Sequence, residues 1–86
     1  MARNRKRGNF MRHNFYIGQE LYWHINDFEG NRYIRCFITE VYSDHAIART
    51  QGNECKAYDD MNLWIDWDNE MDFFDASILK IQLAGF

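Results

Sequence analysis

"NLWIDWDNEMDFFDASILKIQL" (Asn62–Leu83) decides the fold, because two readings compete in it. Trp64, Trp67, Met71, Phe74, Ile78 and Ile81 recur at three- and four-residue intervals, the period of one helix face. Yet the first half is dense in Asp, Asn, Trp and Phe, which are poor helix formers. Farther on, Leu79, Ile81 and Leu83 alternate with Ile78, Lys80 and Gln82, as in a strand. The spacing predicts a strand at Leu63–Asp68, a turn or single helical turn around Asn69–Ala76, and a closing strand at Ile78–Leu83. The alternative is a β-meander followed by one C-terminal helix, from Asn69 to Ala84, capped by Gly85.

The residues before this stretch read as β structure. In "FYIGQELYWHI" (Phe15–Ile25), the apolar Ile17, Leu21, Trp23 and Ile25 alternate with Glu20, Tyr22 and His24 after Gly18. "NDFEGN" (Asn26–Asn31) is rich in turn formers, and Gly30 can take positive φ. "RYIRCFITEVY" (Arg32–Tyr42) is β-branched and aromatic, as strands prefer. Ile38 and Val41 stand three apart, so both face inward only if the strand bulges. "SDH" (Ser43–His45) is a turn, "AIART" (Ala46–Thr50) a short strand and "QGN" (Gln51–Asn53) another turn. The chain then runs extended, with a break near Asp59-Asp60.

Five short strands, a bulged second strand, a tight hairpin and a late single turn before the last strand resemble an SH3-like barrel. The fold class expected is therefore mainly β: a small five-stranded antiparallel SH3-like barrel over residues 15–86, preceded by a flexible basic arm at residues 1–14. Eighty-six residues make one domain. The chain is 47% hydrophobic and 17% aromatic. Large rings bury much surface each, so it has the means to form a core. No apolar run approaches the ~20 residues of a membrane span. The N-terminus is charged without an apolar stretch, unlike a signal peptide. Cys36 and Cys55 are then expected as reduced thiols in a cytoplasmic protein.

The net charge of −3 conceals a division. Arg3, Arg5, Lys6, Arg7 and Arg12 give residues 1–13 a charge of +5, whereas eight acids against Lys56 and Lys80 give residues 54–86 a charge of −6. The basic arm suits phosphate contact, in which cations release counterions without reading sequence. Asp66, Asp68, Glu70 and Asp72 occupy alternate positions. On an extended strand they would share one face, flanked by Tyr58 and Trp64, and would steer and anchor a basic partner. Core packing is expected for Trp23 and Phe37.

No Gly-rich phosphate loop, G-x-S-x-G or H-E-x-x-H is present, so an enzyme is not expected. Cys36, Cys55, His24 and His45 lack the short ligand spacing of a zinc site. No cofactor, metal ligand or catalytic residue is assigned. The functional expectation is a small non-enzymatic protein that docks its acidic, aromatic-flanked face on a basic protein partner. A short, acidic, motif-free chain able to occupy a nucleic-acid channel is similar in composition to a phage-encoded inhibitor of the anti-CRISPR type. Alternatively, the arm makes it a nucleic-acid-binding accessory protein. Self-association into a homodimer through Trp64 is a third possibility.

Overall fold

The fold is seen in a computed structural model, which describes residue 11 and residues 13–78. Five strands form one antiparallel sheet: β1 (Glu20–Asp27), β2 (Gly30–Val41), β3 (His45–Thr50), β4 (Asn62–Asp66) and β5 (Phe73–Asp75). Their order is β4-β3-β2-β1-β5, so β1 to β4 run as a meander and β5 returns to the free side of β1. The sheet is not closed; β4 and β5 are its edges among the described residues. The expected mainly β, five-stranded antiparallel architecture is present; among the described residues the sheet does not close into a barrel.

The first hairpin turns on Phe28-Glu29, with Gly30 at φ +110°. Asp27 shapes this turn, as Asp commonly does by bonding the backbone two residues on. Its Oδ1 accepts the Glu29 N–H at 2.9 Å, and its Oδ2 accepts from Arg32 Nε at 2.6 Å. The bulge lies where the hydrophobic phase slips. Ile38 pairs with Ala48 but Glu40 pairs with Ile47, which leaves Thr39 as the extra residue.

The alternation buries one face from Leu21 on, whereas Ile17, read in the same series, precedes β1 and is exposed. Leu21, Cys36, Ile38, Ala46, Ala48, Leu63, Ile65 and Phe73 form the core, and Met11, Phe15, Trp23 and Met61 pack against it. Fully burying one large aliphatic side chain of this kind contributes about 1.5–3 kcal/mol. Trp23 stacks on Phe73 at 6.2 Å between centroids. Phe37 is not in this core. It falls on the opposite phase, half-buried, with the Arg35 guanidinium 5.1 Å from its ring centre.

The C-terminal third takes something from each reading of "NLWIDWDNEMDFFDASILKIQL". The strand and the single helical turn of the first are present, and a short C-terminal helix, as in the second, follows, but it starts at Ala76 and not at Asn69. β4 stops at Asp66, a single 3-10 turn occupies Glu70–Asp72, and the fifth strand is Phe73–Asp75. Residues 76–78 are helical, so Ile78 does not start the expected closing strand. Asp75 makes the switch through an N-cap arrangement. Its Oδ1 accepts from the Ser77 N–H at 2.9 Å and from the Ser77 hydroxyl at 2.5 Å. Residues 79–86, which carry the rest of both readings, lie outside the described residues.

Candidate cation-binding face

Alternation that sends Ala46 and Ile65 into the core sends His45 and Trp64 out on the other face. The register pairs His45 with Asp66 and Ile47 with Trp64, which makes His45 and Trp64 diagonal neighbours. Their rings stack at 3.7 Å with planes 7° apart. Tyr42, just beyond the end of β2, stacks on the other side of His45 at 4.6 Å and 22°. The result is a row of three rings with His45 in the middle. The outer members remain open to solvent: Tyr42 is 48% exposed and Trp64 55%.

Each ring is held by its own carboxylate. The Tyr42 hydroxyl donates to Glu40. Nδ1 of His45 lies 2.7 Å from Asp44 Oδ1. The Trp64 indole N–H donates to Asp66 Oδ2 at 3.0 Å. The hydrogen bond to His45 holds the Asp44 carboxyl below its ordinary range, against a smaller opposing effect of burial. The contact with Glu40 pushes the Tyr42 phenol up, so it stays protonated. Asp68 adds a further exposed carboxylate; its N–H donates to Asp66 Oδ1 at 3.0 Å.

The acidic row of the sequence is thus broken up. Asp66 belongs to the strand and Asp68 to the turn that follows, while Asp72 is exposed in the 3-10 turn. Glu70 is buried, with relative exposure 0%, and its Oε1 accepts the His13 N–H at 3.0 Å and lies 2.8 Å from His13 Nδ1. Asn69 causes the break. Its side-chain amide donates to the Trp64 carbonyl at 2.8 Å and accepts the Asp66 N–H at 2.8 Å. A side chain that satisfies the backbone in this way ends regular extension. Tyr58 is also absent from the ring row. It joins a separate cluster at the β1–β2 hairpin, donating to Asp27 Oδ2 at 3.1 Å beneath the Arg32 guanidinium.

Of the anticipated residues, Trp64, Asp66 and Asp68 come together. Tyr42, His45, Asp44 and Glu40 join them; the sequence gives no sign that they meet Trp64, reading Tyr42 as an exposed tyrosine, His45 as one of the histidines of the zinc set, and Glu40 and Asp44 as a strand end and a turn. Arg3, Arg5, Lys6, Arg7 and Arg12 lie outside the described residues. The His and Cys residues weighed as a zinc set are split. The Cys36 side chain is in the core, His24 and His45 are on the outer face, and Cys55 is beside a cleft. Tyr22, Tyr33, Arg35, Gly52 and Asn53 also line that cleft, whose volume is about 360 Å³. Gly52 is needed there because its φ is positive, a conformation that glycine adopts freely. A Cβ at that position would also come within 2.9 Å of Arg35 Nη1. No described helix is long and apolar enough to cross a membrane. No protein-family model, curated protein or solved structure matches the chain.

Proposed function

We propose that this is a small binding protein that docks on a basic protein partner through the Tyr42–His45–Trp64 row and its carboxylates. The observation that carries the reading is the exposed three-ring stack, each ring fixed by an acid. Exposed aromatics of this kind anchor interfaces. The surrounding Asp44, Asp66 and Asp68 select for positive charge and raise the rate of encounter. The partner's own function sets the consequence. If the partner holds nucleic acid in a basic channel, occupation of that channel by this face makes the protein an inhibitor, as phage-encoded inhibitors of the anti-CRISPR type act. We also read the sheet as SH3-like. The strand order and the single 3-10 turn before β5 support that reading.

The experiment is a titration of the full chain with a capped hexapeptide of alternating Arg and Lys, followed by tryptophan fluorescence. Binding is expected to weaken as salt rises, since exposed charges are screened over ~8–10 Å. It should also weaken in the pair Asp66→Asn, Asp68→Asn. Affinity unchanged by both salt and this double substitution would refute the reading. So would a short single-stranded oligonucleotide that binds while the basic peptide does not; that result would favour the arm.

A further inference from the structure

We infer that the group this face takes from its basic partner is a guanidinium, an arginine side chain lying flat on the solvent-facing side of Trp64. The inference rests on the reading above and narrows it. The Trp64 and His45 rings are nearly parallel, 7° apart at 3.7 Å, so the row presents a flat platform and not a cage. A planar, weakly hydrated guanidinium continues such a stack; an ammonium is compact and strongly hydrated and gains less from it. Trp is the best ring partner for a cation.

The platform is prepared in advance. Stacking on His45 and the bond from the indole N–H to Asp66 fix the Trp64 ring. Little side-chain freedom is then left to lose on binding. Asp66 stands at the edge of the ring where a guanidinium fork would project. Each of its oxygens already accepts one hydrogen bond, from Trp64 and from Asp68 N–H. A carboxylate offers about four lone-pair sites, so acceptor capacity remains for the fork.

The described arginines are committed elsewhere. Arg32 pairs with Asp27 and Glu29, Arg35 with Glu20, and Arg49 reaches Asp60. Two of these already lie over rings, Arg32 over Tyr58 at 5.8 Å and Arg35 over Phe37 at 5.1 Å. Trp64 has the same ring chemistry and greater exposure, and among the described residues no guanidinium lies over it.

The test compares capped tetra-arginine with capped tetralysine, equal in charge, on the full chain at one ionic strength. The probe is the NMR shift of the Trp64 indole N–H. Tetra-arginine is expected to bind about three- to fivefold more tightly. Trp64→Leu, in which binding is followed by the shift of the Asp66 backbone amide, should remove that preference. Asp66→Asn, which keeps an acceptor for the indole, should reduce it while leaving the fold intact. Equal affinities at Trp64 would overturn the guanidinium inference and leave the basic-partner reading standing. If neither peptide moves the Trp64 indole signal, both are overturned.

Discussion

Glu70 and Asp68 look alike in the sequence, two acids in one alternating series, yet one is buried and the other exposed. The difference arises from Asn69 between them, whose amide closes on the backbone of Trp64 and Asp66. Alternation marks a face only while the strand lasts, and nothing in the spacing of the acids records where it stops. Glu70 then works inward, holding His13 and with it the segment whose Met11 and Phe15 pack on the core. Glu70→Ala loses both hydrogen bonds to His13, each worth about 0.5–1.5 kcal/mol net, so it should cost roughly 1–3 kcal/mol. In a domain of this size that is a fall in Tm of roughly 4–8 °C for each kcal/mol, measurable by thermal denaturation. The two thiols are distinguishable in the same way. Burial pushes the Cys36 thiol up to about 12, so it remains protonated and shielded at pH 8. Cys55 is half-buried beside the open cleft. Thiol titration at pH 8 should count one cysteine in the native protein and two in denaturant.

Among the elements, those carrying a strong local signal were readable. The bulge in β2 was visible as the Ile38–Val41 slip, and the first hairpin as Gly30 within a polar run. β5 was not, because three residues are too few for a period, and their strand character comes from pairing with Leu21–Trp23. Side-chain amides finish two strand edges where no strand is available. Asn53 accepts the Arg35 N–H at 2.7 Å and donates to the Arg35 carbonyl at 3.1 Å. Asn69 does the same work on β4. Asn69→Ala should expose the edge of β4, speed hydrogen exchange at the Asp66 amide and promote concentration-dependent association by light scattering. At the start of the helix, hydrogen bonds from Ser77 and then Gln19 hold the Asp75 carboxyl below its ordinary range, despite a smaller opposing effect of burial. A folded-state pKa below the unfolded value of ~3.9 stabilises at neutral pH, and that contribution disappears as the pH falls through the folded value. Asp75→Asn keeps the cap but removes the charge, so its deficit against the parent protein should be present at pH 7 and shrink toward pH 3, as measured by chemical denaturation.

At the scale of the whole molecule, the described residues form one open sheet with unlike faces. The inner face holds the core, and its composition of alternating apolar residues was legible from the sequence. The outer face carries the rings, and its grouping was not legible. Tyr42, His45 and Trp64 meet only through the register of β3 with β4, which no local pattern specifies. Composition singles out Trp64, Asp66 and Asp68 but groups them with Tyr58, which the fold sends to the β1–β2 hairpin. The most direct measurement is an amide and indole shift map of the full chain titrated with a basic peptide. Tyr42, His45, Trp64 and Asp66 are expected to move together while Tyr58 and His24 stay still. Shifts centred on Tyr58, or on the cleft beside Cys55, with the three-ring row unmoved would contradict that expectation.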